Sequence, residues 1–321
     1  MKTILAKKRV LEDKGLRTVY VESLCELASK DDKVICVEAD LMKALGTNFA
    51  DKYPERFYNC GVQEANMVGV TTGLGAAGMK AYAHTFAPFM TRRAFDQIFI
   101  TAAYGKGNVK LIGSDPGVTA GYNGGTHMPF EDGGLMRLVP DAIVIDVVDS
   151  AMLKSVLTDI KDIYGVQYVR FPRCAMKKIY EEGSEFKIGK GITLKDGTDI
   201  TIIASGLLVS ETLDAADELE KDGISARVVD MFTWKPIDKE LIVKCAKETG
   251  AIVTAENHNI INGLGSAVAE VLVENYPVIM GRVGCKERFG EVGDVDYLIK
   301  SFEMTGNDIV KKTKEVLQKK A

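Results

Sequence analysis

The chain has 321 residues, which is more than one ordinary domain needs and typical of two. Its 41 basic and 45 acidic side chains give a formal net charge of −4, which argues against a protein that binds nucleic acid through a basic surface. Hydrophobic residues make up 46% of the sequence and charged residues 27%, so disordered, collagen-like and coiled-coil chains are excluded.

The start of the chain and its cysteines bear on the compartment. Residues 1–15 mix lysines with acidic residues and have no apolar core, so they do not form a secretory signal, and we expect a cytoplasmic protein. No run of about 18 uncharged apolar residues predicts a membrane-spanning helix. Six cysteines are spread along the chain without a CxxC pair, which predicts free thiols and argues against a zinc site.

In the first half, short apolar runs alternate with amphipathic stretches. The helical spacing predicts helices over residues 18–30 and 151–164. The predicted strands are residues 33–39, 56–60, 80–85, 108–114, 142–148 and 167–171. Their continuous apolar character indicates strands that are covered on both faces. The alternation of strands and helices predicts a mostly parallel α/β sheet.

A second α/β series follows a segment rich in Lys, Glu and Gly, in which we place a linker at residues 176–197. The predicted strands of this series are residues 198–205, 225–231, 251–256 and 277–283. Residues 210–223 show helical spacing and end at a glycine. The sequence therefore predicts two α/β domains, residues 15–175 and 198–321, each with a mostly parallel sheet covered by helices.

The motif Gly73-Leu-Gly-Ala-Ala-Gly78 matches the GxGxxG fingerprint of dinucleotide-binding proteins. That fingerprint requires a strand directly before the glycines and a helix that begins at them. Here an amphipathic helical pattern at residues 64–72 precedes them instead. We therefore expect the glycines to let this helix pack closely and then end, and we do not predict NAD binding.

Polar and glycine-rich segments follow several predicted strands, at the points where the strands end. Examples are Glu38 and Asp40 after the first strand, the HTF segment at residues 84–86 and the SDPG segment at residues 114–117. In parallel α/β sheets, ligands bind outside the carboxyl ends of the strands. We therefore expect a functional site at this edge of the first sheet.

Three of these segments resemble the pyrimidine-binding domain of transketolases: GVQEANMVGVTTGLGAAGMKAYAHTF, GVTAGYNGGTHMPFEDGGLMR and YVRFPR. Residues 198–321, with ENHNIINGLGSAVAEVL, resemble the transketolase C-terminal domain. The GDG motif with a downstream Asn, which marks the family's diphosphate-binding domain, is not found. The resemblance implies the C-terminal subunit of a split transketolase. An N-terminal partner subunit would hold most of the thiamine diphosphate and a divalent cation such as Mg²⁺, in an α2β2 heterotetramer.

The resemblance also implies a set of catalytic and cofactor-binding residues. Glu64 matches the family's glutamate, which exchanges a proton with the aminopyrimidine ring of the cofactor. Phe86 and Phe89 match the aromatic pocket for that ring. His127 matches the histidine that contacts a substrate oxygen during catalysis. His84 is expected to be structural, His258 receives no chemical role, and the neighbouring pair at residues 92–93 is left outside the site as helix-surface charge.

Five residues are implied to contact the substrate. Arg170 and Arg17 match arginines that bind the substrate phosphate, and a guanidinium suits that anion. Asp115 matches an aspartate of 1-deoxyxylulose-5-phosphate synthases, and His127 also belongs to this group. Asn123 stands where common transketolases have an aspartate that contacts a substrate hydroxyl, and an amide can donate as well as accept a hydrogen bond. We therefore expect a two-carbon ketol transfer between sugar phosphates, and the replacement at Asn123 leaves a non-standard donor or acceptor open.

Two other functions remain open at this point. The β subunits of 2-oxo-acid dehydrogenases share the sequence pattern, but they act with a lipoyl domain and need no arginine for a sugar phosphate. A non-catalytic α/β scaffold that only supports a partner is the alternative from a different class. Arg170 and the GGTH segment favour the sugar substrate over the first alternative, and the presence of Glu64, Phe86 and His127 argues against the second.

Overall fold

The computed structural model describes residues 2–41 and 48–320. The first sheet contains six parallel strands, which are β1 (Val34–Glu38), β2 (Phe57–Asn59), β3 (Lys80–Phe86), β4 (Val109–Ser114), β5 (Ile143–Asp146) and β6 (Val166–Phe171). Their order in the sheet is β5-β6-β4-β3-β1-β2. Except for the short edge strand β2, they are almost entirely buried, as their continuous apolar sequences require.

Helices cover both faces of this sheet. They are α1 (Leu16–Lys30), α2 (Asn48–Lys52), α3 (Glu64–Ala76), α4 (Asp132–Leu138) and α5 (Ser150–Ile160). Helices α1 and α5 pack on one face, and α3 packs on the other with the π-helical segment Gln97–Tyr104. Because side chains alternate along a strand, Cys36 packs in the core on the side of α1 and α5, and Val37 packs in the core on the side of α3.

The second domain is built on a five-stranded sheet. The strands that follow in the chain are β7 (Ile192–Lys195), β8 (Ile200–Ala204), β9 (Ala226–Asp230), β10 (Thr233–Lys235), β11 (Ala251–Asn259) and β12 (Ile279–Cys285). The sheet order is β12-β11-β8-β9-β7, and only the edge strand β7 is antiparallel. The helices are α6 (Leu208–Lys221), α7 (Lys239–Thr249), α8 (Leu264–Asn275), α9 (Val295–Ser301) and α10 (Gly306–Lys320).

Two segments join the domains. Strand β10 leaves the second domain and pairs antiparallel with β5, so it becomes the seventh strand of the first sheet. The N-terminal segment pairs with residues 176–181 through Leu5 and Leu11, and Arg9 reaches α6 to pair with Asp214 and Asp217. The two domains are therefore tied by backbone pairing as well as by side-chain packing.

The fold class predicted from the sequence is confirmed, since both sheets are mostly parallel and covered by helices. The ten predicted strands form within three residues of their predicted ends, whereas β7 and β10 were not predicted. Strand β7 lies inside the segment assigned to the linker. The domain boundaries themselves stay a prediction. In the part of the chain that the structure describes, no helix has the length and apolarity to cross a membrane.

The GxGxxG segment has the structural role that its context predicts. Gly73 and Gly75 lie inside α3, and a Cβ atom at Gly75 would lie 2.2 Å from the carbonyl oxygen of Asn108. Gly78 follows the helix with a φ of 87°, a conformation that favours glycine. The glycines thus allow close packing and chain reversal at the end of a helix rather than at its beginning.

Candidate active site

The candidate site lies at the carboxyl ends of strands in the first sheet. Phe86 is the last residue of β3, Asp115 directly follows β4, and Arg173 follows β6 by two residues. Glu64 begins α3, and His127 ends the short 3-10 turn Gly125–His127. These residues therefore lie at the carboxyl edge of the first sheet, and parallel α/β sheets bind ligands at this edge.

Glu64 is a buried carboxylate that pairs with Arg93. Its residue is 2% exposed, and both of its oxygens accept hydrogen bonds from Arg93 Nη1, at 2.8 and 2.7 Å. It also lies at the N-terminus of α3, where the helix dipole favours a negative charge. The Arg93 side chain remains 46% exposed, with its guanidinium 4.2 Å from the Phe89 ring centroid. Arg93 thus shields the buried Glu64 carboxylate from solvent while its own side chain stays accessible.

Arg93 was predicted to be a helix-surface charge outside the site, and the structure instead places it against Glu64. Arg93 lies on the π-helical segment Phe89–Arg93, which turns its side chain back over Phe89 toward Glu64. The neighbouring Arg92 instead pairs with Glu131 at 2.8 Å and donates to Thr126 O at 3.0 Å. No local sequence pattern links Arg93 to Glu64, because the two residues are 29 positions apart in the chain.

Phe86, Phe89 and His127 form a half-open aromatic pocket. The two phenylalanine rings are 6.0 Å apart at an interplanar angle of 79°. The His127 ring stands edge-on to both, with centroids 5.4 Å from Phe86 and 4.8 Å from Phe89. All three residues are partly exposed. Ring faces are therefore available to a flat heterocycle, for which offset or edge-on contacts are the favoured geometry.

His127 is held as a neutral imidazole. Partial burial lowers its pKa, and the positive charges of Arg173, Arg93 and Arg92 lower it further. Its Nδ1 lies 2.9 Å from Thr126 Oγ1, while no partner is assigned to Nε2 within the described residues. A neutral imidazole at the pocket wall can donate or accept one hydrogen bond to a bound oxygen.

The loop that carries His127 is supported by the second domain. A Cβ atom at Gly125 would lie 2.5 Å from Gly290 O, and one at Gly290 would lie 2.7 Å from Met128 Cβ. Gly124, with a φ of 75°, meets Val292 in the same way. These close contacts leave no room for side chains at Gly124, Gly125 and Gly290. Residues 290–292 of the second domain therefore limit the position of the loop that carries His127.

Arg17 and Arg173 converge on Asp115. Arg17 Nη2 lies 2.5 Å from Asp115 Oδ2, and Arg173 Nε lies 2.9 Å from the same oxygen. Both guanidinium carbons are 5.4 Å from the Phe86 ring centroid. The Arg173 side chain is 34% exposed and that of Arg17 is 9% exposed. The arrangement presents two positive groups beside the aromatic pocket, with Arg173 the more accessible.

Asp115 and Asn123 differ in their access to a substrate. Asp115 is 0% exposed, so it lies behind the two arginines and not on the pocket surface. Its assignment as a direct substrate ligand is corrected to that of a support for them. Asn123 and Tyr122 are exposed at the end of the 3-10 segment Gly117–Asn123, next to the His127 loop.

The assignment of Arg170 to a substrate phosphate is corrected. Arg170 is 0% exposed, and its guanidinium lies 3.0 Å from Asp132 and 3.7 Å from Asp146. It also donates to the carbonyl of Asn257 at 2.9 Å, and its guanidinium carbon lies 5.0 Å from the Trp234 ring centroid of β10. This guanidinium joins the two domains and has no face free for an anion.

The two histidines placed outside the site lie in buried structure. His84 is 0% exposed, its ring is 5.1 Å from that of Tyr20, and burial lowers its pKa well below the usual value. His258 Nε2 accepts a hydrogen bond from Gly134 N at 3.1 Å, across the domain contact. Neither imidazole reaches the aromatic pocket.

The sequence matches two family models along most of its length. Residues 13–178 match the transketolase pyrimidine binding domain, and residues 189–309 match the transketolase C-terminal domain. The chain belongs to the transketolase family. Its two domains are therefore the transketolase pyrimidine-binding domain followed by the transketolase C-terminal domain.

Several relatives of similar length are transketolase subunits or sections. The chain is 46% identical over 311 residues to the 6-deoxy-6-sulfo-D-fructose transketolase subunit SqwH of Clostridium sp. (strain MSTE9), covering 97% of each chain. It is 41% identical to a putative transketolase C-terminal section of Methanocaldococcus jannaschii, covering 95% of this chain and 97% of the relative. A solved split gene transketolase, in an inactive β4 tetramer, superposes with a TM-score of 0.90 at 39% identity, covering 96% and 100%. The predicted family, and the likeness to a split transketolase subunit, are confirmed.

Proposed function

We propose that this chain is the C-terminal subunit of a thiamine diphosphate-dependent transketolase that moves a two-carbon ketol unit between anionic sugars. The observation that carries the proposal is the position of Glu64. A buried carboxylate at a helix N-terminus stands beside the pocket of Phe86, Phe89 and His127. Transketolase chemistry needs an acid, an aromatic surface and an anion-binding site close together. Arg173 and Arg17 would provide the anion-binding site.

The residues present fit the aminopyrimidine end of thiamine diphosphate. Glu64 would hold the ring through its proton-exchanging nitrogen, and the faces of Phe86 and Phe89 would hold the flat heterocycle. When bound, the cofactor supplies the carbon nucleophile that takes up the ketol unit. Arg93, whose side chain is 46% exposed, would have to release at least one Glu64 oxygen on binding.

The chain's own groups divide the remaining work. Glu64 holds and moves a proton at its carboxylate oxygens, in a site from which water is largely excluded. His127, kept neutral, orients a substrate oxygen through Nε2. Arg173 and Arg17 hold the anionic end of the sugar beside Phe86. Asn123, at the pocket rim, is placed to meet a substrate hydroxyl.

The partner subunit would supply the diphosphate and metal sites. Among residues 2–41 and 48–320, no group of three or more His, Cys, Asp or Glu side chains is placed to bind a metal ion. We therefore assign Mg²⁺ and the diphosphate to an N-terminal subunit in an α2β2 assembly. The related split gene transketolase solved as an inactive β4 tetramer supports this need for a second subunit.

The substrate is expected to depart from the common xylulose 5-phosphate and ribose 5-phosphate pair. Asn123 replaces the usual aspartate, and the SqwH relative takes its name from a 6-deoxy-6-sulfo-D-fructose. We propose a ketose donor with a modified or non-phosphate end as a candidate beside the sugar phosphates. The 2-oxo-acid dehydrogenase and scaffold alternatives provide no role for an exposed Arg173 beside the aromatic pocket.

Reconstitution tests the proposal. The chain is assayed for ketol transfer alone, with an N-terminal transketolase subunit, and with that subunit plus thiamine diphosphate and Mg²⁺. We expect activity only in the complete mixture. Tight thiamine diphosphate binding by the isolated chain would contradict the split site. Absence of ketol transfer from the complete mixture with a panel of phosphorylated and sulfonated ketoses would contradict the proposed function.

A further inference from the structure

Asp115 holds both arginines of the anion site from a completely buried position. Its Oδ2 accepts a hydrogen bond from Arg17 at 2.5 Å and forms an ion pair with Arg173, whose Nε lies 2.9 Å away. Its Oδ1 accepts a hydrogen bond from the backbone N of Arg173 at 2.7 Å. Its own backbone N donates to Phe171 O at 2.9 Å. The two arginines, which lie on α1 and after β6, thus share one anchor.

The backbone at this anchor has a conformation that few residue types adopt. Asp115 has a φ of 62°, in the left-handed region, which aspartate adopts more readily than most non-glycine residues. Such a conformation persists where the surroundings determine it, and here five polar contacts of Asp115, Arg17 and Arg173 do so. The carboxylate is therefore placed with precision under the anion site.

The charge of the Asp115 carboxylate lowers the net positive charge that the two arginines present to an anion. Two guanidinium groups and one carboxylate leave a single net positive charge beside Phe86. Burial raises the pKa of Asp115, and the two guanidinium groups oppose that shift. With hydrogen bonds from both arginines, the ionised form is the one that the contacts stabilise at neutral pH.

We propose that Asp115 determines the charge selectivity of the anion site, so that a singly charged sulfonate end competes effectively with a doubly charged phosphate end. The inference rests on the proposed function. A phosphate monoester carries about −1.5 to −2 charges at pH 7, whereas a sulfonate carries one. The buried carboxylate repels the extra charge of the phosphate and leaves the first charge matched by the arginines. Asp115 is thus a positioning and specificity residue that does not itself touch substrate.

A matched substrate pair tests this in the reconstituted complex. Fructose 6-phosphate and 6-deoxy-6-sulfofructose share the sugar skeleton and differ in the end group. We expect Asp115→Asn to raise the ratio of kcat/KM for phosphate over sulfonate about tenfold, mainly through KM, the scale for removing one charge at ~7 Å near a protein surface. Asp146→Asn, which removes another buried aspartate that pairs with an arginine, is the control and should leave the ratio unchanged.

The outcomes separate this inference from the proposed function. If wild type transfers ketol units but Asp115→Asn lowers both substrates equally, Asp115 is only a structural support and the charge role is wrong. If Asp115→Asn does not assemble, which circular dichroism and native mass spectrometry would report, Asp115→His is measured instead. That variant must raise the same ratio, and an unchanged or lowered ratio overturns the inference. A wild-type complex inactive with every ketose contradicts the proposed function itself.

Discussion

Arg93 donates hydrogen bonds to both carboxylate oxygens of Glu64, at 2.8 and 2.7 Å, from a side chain that is still 46% exposed. The Glu64 carboxylate is buried, whereas the Arg93 side chain is partly exposed. A ligand that enters over Phe89 would therefore meet the guanidinium first. In the function proposed above, the Glu64 charge stays paired with Arg93 until an aminopyrimidine replaces part of this contact.

Glu64→Gln should abolish most ketol transfer. The amide preserves size and hydrogen bonding but cannot exchange the proton, so we expect a loss of about two orders of magnitude or more in kcat. Assembly with the partner should survive. Glu240→Gln changes an exposed glutamate in the first turn of α7 and is the matched control. Activity close to wild type in Glu64→Gln, with cofactor bound, would remove Glu64 from the mechanism.

Glu38→Gln should stabilise the chain, increasingly so as the pH rises. Glu38 is 1% exposed, its Oε2 has no hydrogen-bond partner in the described part of the chain, and burial raises its pKa to about 8. A raised carboxyl pKa in the folded state means that stability is greatest below the unfolded value of about 4.3 and is lost as pH rises toward 8. Near pH 7 the penalty that Gln removes is up to about 3 kcal/mol.

Urea unfolding of the isolated chain between about pH 5 and 8 measures this effect. The difference in unfolding free energy between Glu38→Gln and wild type should grow across the range. Glu274→Gln, at an exposed position of α8, should show a flat difference. A difference that does not change with pH would mean that Glu38 is ionised in the folded chain throughout.

Arg173 and Arg170 should give opposite phenotypes. Arg173→Met should raise KM for anionic sugars by roughly 10- to 100-fold, the scale of a lost charged hydrogen bond, and should affect uncharged ketoses much less. Arg170→Met leaves Asp132 and Asp146 without their buried cation and should destabilise the chain by about 3–5 kcal/mol. Thermal unfolding and kinetics on both variants test the contrast. A phosphate-specific KM effect at Arg170 would overturn its structural assignment.

These two arginines also mark the limit of sequence reasoning. Period and composition predicted the parallel sheets, because buried strands must be apolar, and motif likeness placed Glu64, Phe86 and His127 together. Arg170 and Arg173 lie three residues apart in YVRFPR, and no pattern states which is covered by a strand from the other domain. That strand, β10, is three residues long and pairs across domains, so it has no local signal. Arg93 was missed for the same reason, since its partner Glu64 is 29 residues away.

Asn123→Asp should shift the substrate preference toward the xylulose 5-phosphate and ribose 5-phosphate pair. The carboxylate only accepts hydrogen bonds, whereas the present amide also donates, so the variant would favour the hydroxyl that common transketolases read. We expect a shift of about tenfold in relative kcat/KM on a sugar panel. Tyr122→Glu, at the neighbouring exposed position, tests whether bulk also contributes. If wild type already prefers the standard pair, the altered loop has not redirected specificity.

Gly290→Ala should impair catalysis from the second domain without unfolding it. The new Cβ would lie 2.7 Å from Met128 Cβ and Sδ and 3.0 Å from Gly125 Cα, so the loop that carries His127 must move by several tenths of an ångström. Because small misplacement of a positioned group is costly, we expect kcat to fall about tenfold or more while the unfolding midpoint changes little. Gly73→Ala is the control, since nothing lies within 4 Å of its Cβ position and the residue is helical.

The size of the substituent gives the decisive comparison. Gly290→Val should lower kcat further than Gly290→Ala, because a larger group drives Met128 and the His127 loop farther apart. Affinity for the anionic end, which we propose is set by Arg173 and Arg17, should remain within about threefold of wild type, since the loop does not carry the guanidinium groups. Equal losses in kcat and in anion affinity would indicate a general collapse of the site. Unchanged kcat in both variants would show that the second domain does not control the position of the loop that carries His127.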